Sequence, residues 1–221
     1  MSSLVFFLLR NELGLDDGGF GVDSDVDGDP LSITAAMVDL DGDGLDEVIL
    51  IRAYAADGAA LSVFKVSEAG LHPWLETPAI GQAFRWLNPA GFGDFDGDGQ
   101  LEIAHVQTPH IGGILIINRL ENGRLVEVAR KAGVSNHAYK SRELSMSAVI
   151  DVDGKGRDAI VLPDQAGDDL VVARLEADEI SFDFIPFDWG ILKIRRLDDA
   201  HIEVLDLTGE KHLLSAKQLR R

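Results

Sequence analysis

The nine-residue stretch DLDGDGLDE, Asp39 to Glu47, returns as DFDGDGQLE at Asp94 to Glu102 and, altered, as DVDGKGRDA at Asp151 to Ala159. Carboxylates at positions 1, 3 and 5 of so tight a turn repel one another unless a cation lies among them. Glycines at positions 4 and 6 let the backbone fold back, which makes the oxygens converge. Hard oxygen donors in this number suit calcium. In the first copy Asp39, Asp41 and Asp43 are the expected carboxylate ligands, with the Leu45 carbonyl and Glu47 completing the protein share. Asp94, Asp96, Asp98, the Gln100 carbonyl and Glu102 take the same places in the second. In the third copy Lys155 stands at position 5 and Ala159 at position 9, so two ligands are lost. That turn is expected to be metal-free, with the Lys155 ammonium neutralising Asp151 and Asp153.

The residues after each turn decide what kind of turn it is. An EF-hand loop needs a bidentate Glu at position 12, where this chain has Leu50 and His105, and it needs a helix to follow. Instead EVILIR and LEIAHVQ follow, short and rich in β-branched residues, which read as strands. The turns begin at Asp39, Asp94 and Asp151, at intervals of 55 and 57 residues. One interval reads as strand (33 to 38), acidic turn, strand (47 to 53), a turn at Ala56-Asp57-Gly58, strand (60 to 66) and a last strand (71 to 75). This is a four-stranded antiparallel blade repeated along the chain.

Strand, D-x-D-G-D-G-x-x-[DE], strand, at wide intervals, resembles the FG-GAP or VCBS repeat, as in integrin α-subunit propellers and many bacterial surface and secreted proteins. The resemblance implies an all-β fold, a calcium-braced β-propeller, with an extracellular, cell-surface or periplasmic location. It covers half to two-thirds of the chain when flanking strands are counted, and it specifies loop and fold rather than activity.

The second half of the blade repeats too. LSVFKVSEAGL (61 to 71) has counterparts in LIINRLENGRL (115 to 125) and VVARLEADEI (171 to 180), while VFFLLRNELGL (5 to 15) has the same shape without an acidic turn before it. At the other end ILKIRR, HIEVLDL and HLLSA are strand-like with no blade half after them. Pairing of Leu4 to Leu9 with these strands would close a ring of four blades in a single domain spanning residues 1 to 221. The alternative is part of a larger propeller. Either Asp198-Asp199 or Asp206 marks a decayed fourth turn. The acidic run Asp23, Asp25, Asp27 lies off the repeat period and reads as a solvated connection, with a weak calcium site as the alternative.

Composition narrows the function. The formal charge is −18, and residues 1 to 50 hold twelve acids against one base, Arg10. Such a chain repels nucleic acid. The absence of cysteine removes disulfides, thiolate catalysis and sulfur-ligated zinc together. Leu4 to Leu9 is too short for a membrane span, so no membrane insertion is expected, and the closed ring is expected to be a monomer.

Signatures of metalloproteases, serine hydrolases, phosphate loops and dinucleotide folds are missing. Side chains between strands are the expected ligand surface: Arg85 and Trp86 in QAFRWLNPAG, His110 in TPHIGG, and Asn136 and His137 in SNHAY. His105 falls inside a strand and reads as a core residue. Two functions follow. One is a non-catalytic binding or adhesion module for a protein or carbohydrate, with calcium as brace. The other is a hydrolase or lyase using His110, His137 and Asp164. A pocket gathering those three would favour the enzyme.

Overall fold

The computed structural model describes residues 36 to 139, 141 and 143 to 220. The expected strand at Leu4 to Leu9, the run Asp23 to Asp27 and the start of the first predicted strand lie outside these residues. The described part is all-β, with four antiparallel sheets taken up in chain order. The first contains β1 (Ala36–Val38), β2 (Glu47–Tyr54), β3 (Gly58–Ser67) and β4 (Gly70–Glu76). The second contains β5 (Leu87–Gly93), β6 (Glu102–Gln107), β7 (Ile114–Glu121) and β8 (Arg124–Ala132). The third contains β9 (Ala148–Ile150), β10 (Ala159–Pro163), β11 (Asp169–Glu176) and β12 (Glu179–Pro186). The fourth has three strands, β13 (Ile191–Arg196), β14 (His201–Asp206) and β15 (Lys211–Ser215). The expected blade is therefore present, and the repeated hairpins at 61 to 71, 115 to 125 and 171 to 180 are the third and fourth strands of three of them.

The described residues form two compact units, one within residues 36–86 with 122–125 and one within residues 87–121 with 126–220. In the first, Val48, Leu50, Phe64 and Leu71 gather a small core on β2, β3 and β4. In the second, three sheets stack around their first strands, since β9 lies against both β5 and β13. The third sheet is buried on both faces. Ile160, Leu162, Val171 and Ala173 join Ala104, Val106, Leu115 and Ile117 of the second sheet. Their neighbours Ala159, Val161, Leu170 and Val172 join Ile194, Ile202 and Val204 of the fourth. Alternate side chains on a strand point to opposite faces. A strand covered on both sides needs apolar residues throughout, which is why β10 and β11 read as continuous hydrophobic runs.

Close approach of the first strands rests on two glycines. A Cβ at Gly91, where φ is 150° and the β5–β6 register shifts, would lie 2.3 Å from Val149 Cγ2 of β9, and one at Gly93 would lie 2.8 Å from Val149 Cγ1. Hydrogen bonds then fix which ends of the sheets share a side. The Asp158 amide donates to the Asp94 carbonyl at 2.8 Å, bringing the second and third acidic turns together. At the other end Gln165 Nε2 donates to the Pro109 carbonyl at 3.0 Å, and the Ser135 amide to the Pro163 carbonyl at 3.0 Å. The decayed fourth turn is also settled: Asp198 and Asp199 lie in the β13–β14 connection, where the other sheets carry the acidic turn. Asp206 ends β14 and caps the next hairpin instead, accepting bonds from the Thr208 and Glu210 amides at 2.8 and 2.9 Å.

His105 is a core residue of β6, as expected, and Asn118 Nδ2 donates to its Nδ1 at 3.2 Å. Burial depresses its pKa from 6.5 to about 4. The folded state thus keeps the imidazole neutral while the unfolded chain takes up a proton below pH 6.5. Stability should fall as pH drops from 6.5 to 4, by about 3 kcal/mol from this group at full extent. Urea unfolding of wild type and His105→Gln, at pH 7 and pH 4, checks this. The wild type should lose more stability across that interval than the variant, whose amide keeps a partner for Asn118 without titrating.

Candidate functional site

Each acidic turn is shaped by its first aspartate. Asp39 Oδ2 accepts the Gly44 amide at 2.9 Å, and the Asp43 and Leu45 amides donate to Asp41 Oδ1 and Asp43 Oδ1 at 3.3 and 2.9 Å. Glu47 is buried, and its Oε2 reaches back to accept the Leu40 amide at 2.9 Å. The second turn repeats this with more bonds: Asp94 accepts the Gly97, Asp98 and Gly99 amides, and Glu102 Oε2 accepts the Phe95 amide at 2.8 Å. These backbone bonds leave the carboxylates held in an inward-facing bowl. One oxygen each from Asp39, Asp41 and Asp43 lie within 4.8 Å of one another, as do oxygens of Asp94, Asp96 and Glu102.

The fit to a cation is strongest in the first turn. Asp39 Oδ1 is buried and has no hydrogen-bond partner, an uncompensated carboxylate oxygen of the kind a bound ion satisfies. Burial raises the pKa of Glu47 and of Glu102, with the neighbouring aspartates adding to the effect. The converging anionic oxygens of Asp39, Asp41 and Asp43, and of Asp94, Asp96 and Glu102, fit calcium; Glu47 and Asp98 are the further residues that would complete the expected side-chain ligands. Leu45 and Gln100 occupy the positions from which a carbonyl is expected.

Each bowl also meets a basic side chain that sequence reasoning missed. Lys65 Nζ lies 2.5 Å from Asp41 Oδ2, 3.2 Å from Asp43 Oδ2 and 3.7 Å from Glu47 Oε1. The hydrogen bond to Asp41 raises its pKa, and the Leu45 amide and Lys65 together hold Asp43 below the usual carboxylate range. In the second turn Arg119 pairs with Asp96 through Nη2 and with Glu102 through Nε at 3.2 Å. The signal was present in the aligned hairpins, where Lys65, Arg119 and Arg174 fall at one position.

In the third turn Asp151 accepts amides from Gly154 at 2.7 Å and Gly156 at 2.7 Å, and these lower its pKa despite burial. Lys155 pairs with Asp153 at 3.1 Å but is largely exposed. The expectation that Lys155 neutralises both aspartates is corrected to that extent: backbone amides, closer than any side chain, stabilise Asp151.

The expected ligand surface divides. Arg85 and Trp86 are half-buried in the first unit, where the Arg85 carbonyl accepts the Ala59 amide at 2.9 Å. In the second unit Asn136 is fully buried, with Nδ2 donating to the carbonyls of Asn88 and Pro89 at 3.2 and 2.8 Å. It pins the β8–β9 connection to β5, and its placement on the surface is corrected because its amide bonds strand backbone. His137 is buried too, and His110 is exposed. They meet: His137 Nε2 donates to the Ser141 carbonyl at 3.0 Å, so neutral Nδ1 is the acceptor for His110 Nε2 at 2.5 Å. Burial, with His110 beside it, lowers the His137 pKa. Asp164 takes no part in this pair; its Oδ1 accepts the Gly167, Asp168 and Asp169 amides.

Residues 39–105 match the family model of the FG-GAP-like repeat. The chain carries an FG-GAP-like repeat. The matched FG-GAP-like segment spans the two complete acidic turns and the strands between them. No curated protein matches the sequence. Among solved structures, the chain is similar to the exotype rhamnogalacturonan lyase YesX, at 17% identity and a TM-score of 0.45, covering 84% of this chain and 45% of that one. A protein from Lactobacillus plantarum also has 17% identity and a TM-score of 0.45, with coverage of 83% and 55%. The rhamnogalacturonan lyase YesW has 15% identity and a TM-score of 0.42, with coverage of 84% and 45%. The chain thus spans about half the length of these structures.

The Asn136 pin gives a test independent of any ligand. Asn136→Ala leaves two buried carbonyls without their donor and should cost about 2 kcal/mol. Chemical unfolding should show a lowered midpoint at unchanged slope. An unaltered midpoint would mean that the β8–β9 connection is held by other contacts.

Proposed function

We propose that this protein is a calcium-stabilised β-propeller of four blades that serves as a non-catalytic binding module for a protein or carbohydrate. The acidic turns at 39 to 47 and 94 to 102 are its structural braces, and an extracellular or periplasmic setting, where calcium is plentiful, suits them. No helix among the described residues is long and apolar enough to cross a membrane. The observation that carries the reading is the buried, unpartnered Asp39 Oδ1 in a bowl of converging carboxylates. Calcium there would neutralise charge and tie β1 to β2, with no chemical step assigned to it.

Binding is favoured over catalysis by the state of the histidine pair. Both nitrogens of His137 are engaged, and Asp164 is committed to its own turn, so the three groups form no acid–base set. The same end of the second unit exposes Ile111, Tyr139, Trp189 and Leu207, one from each of four different connections. Exposed aromatic and aliphatic side chains gathered at loop tips are a recognition surface rather than a core. We assign the ligand to this end, opposite the acidic turns of the same unit.

Calcium tests the brace directly. A ligand bound only to the folded state adds RT ln(1 + [L]/Kd), about 2.7 kcal/mol at a hundredfold excess over Kd. The melting temperature should therefore rise by several degrees between EDTA and saturating calcium, and much less with magnesium, which keeps its waters. The double change Asp41→Ala with Asp96→Ala should remove most of the rise, whereas Asp153→Ala should preserve it. A melting temperature indifferent to calcium would refute the brace, and loss of the response in Asp153→Ala would refute the metal-free third turn.

A further inference from the structure

We propose that Lys65 and Arg119 are built-in counter-cations of the acidic turns, each displaced when calcium enters, and that they grade the two sites, the first binding more tightly than the second. The inference rests on the calcium reading above, and it concerns residues which that reading does not use.

The strand register places these residues. In β2 and β3 Val48 pairs with Phe64, so the next step outward sets Glu47 opposite Lys65. In β6 and β7 Ile103 pairs with Asn118, which sets Glu102 opposite Arg119. In β10 and β11 Ile160 pairs with Ala173, which sets Ala159 opposite Arg174. Position 9 of every turn therefore faces a basic residue of the third strand of its own sheet. Where position 9 is a buried glutamate, the base leans into the bowl. Where it is alanine, the base turns away: Arg174 pairs with Asp183 on β12. Position 9 thus decides whether the third-strand cation serves the turn.

The two occupied bowls are filled to different degrees. Lys65 offers one compact charge on a flexible stem, with a third of its side-chain surface exposed, and leaves Asp39 Oδ1 without a partner. The same ammonium also lies over the Trp74 ring, 4.3 Å from its centroid. Arg119 is 16% exposed and spans Asp96 and Glu102, with Glu121 and Asp178 at 3.5 and 3.6 Å. A guanidinium bonded to two carboxylates at once is harder to dislodge than an ammonium. Both cations compete with calcium for Asp and Glu oxygens, and removing either takes away a repulsion as well as a competitor.

Calorimetric titration of the full chain with calcium, alongside melting in EDTA, tests this with wild type, Lys65→Gln and Arg119→Gln. Each variant should tighten one calcium site by about tenfold or more, the wild type should show two sites of unequal affinity, and each variant should melt below wild type in EDTA. Should a glutamine fail to fold without calcium, the milder Lys65→Arg should weaken the first site instead. Variants that bind calcium as the wild type does would overturn the proposal and leave the calcium reading intact. Binding that appears only in the variants would overturn displacement in the native chain, making Lys65 and Arg119 permanent counter-cations, and would remove calcium as the native brace. Silence in all three proteins would overturn both.

Discussion

Four or five carboxylates in one nine-residue turn repel one another strongly unless positive charge lies among them, and the architecture follows from how that charge is supplied. Asp39 and Asp94 hold the turn's amides, Glu47 and Glu102 are drawn into burial behind it, and the strands on either side start where these residues fix them. The turn converts an electrostatic liability into a rigid connection between the first and second strands of a sheet. The third copy shows what the shape alone requires. With Lys155 and Ala159 in place of two acids, Asp151 still gathers its amides, and the turn persists on backbone bonds. Its geometry is therefore separable from its charge.

Repetition of that unit explains the rest of the described fold. A sheet of three or four short strands has two faces to cover, and stacking sheets covers them without helices. The third sheet, buried on both sides, is the fullest case, and Gly91 and Gly93 let its first strand approach the sheet before it. The two ends of the sheets also carry different side chains, which on the proposed reading divides stabilisation from recognition. The acidic turns of the second unit lie at one end, while His110, Tyr139 and Trp189 lie in connections at the other. Stabilisation and recognition need not share residues.

Much of this was legible in the sequence because it is carried by local signals. Spacing of the Asp-Gly turns, the β-branched runs after them and the matching hairpins placed the second to fourth strands of the first sheet, the second strand of the second sheet and the hairpins of three sheets to within a few residues. What was not legible depends on partners distant in sequence. Nothing local in SNHAY shows that Asn136 faces the backbone of β5 and lies buried, because that follows from a pairing 48 residues away. The choice between Asp198 and Asp206 needed the pairing of β13 with β14. Lys65 and Arg119 were visible as aligned bases, but their role required knowing that the residue opposite is position 9 of the turn.

The central claim is that the complete acidic turns hold a divalent cation which their own basic residues otherwise replace. A crystal structure from calcium-containing medium, with anomalous scattering recorded at a wavelength where calcium contributes, tests it most directly. The account predicts anomalous peaks at the turns of residues 39–47 and 94–102, at about 2.3–2.6 Å from carboxylate oxygens that include Asp39 Oδ1. It also predicts that Lys65 moves off Asp41 and that the turn at 151–159 shows no peak. Turns without anomalous density, with Lys65 and Arg119 still seated among the carboxylates at saturating calcium, would contradict it.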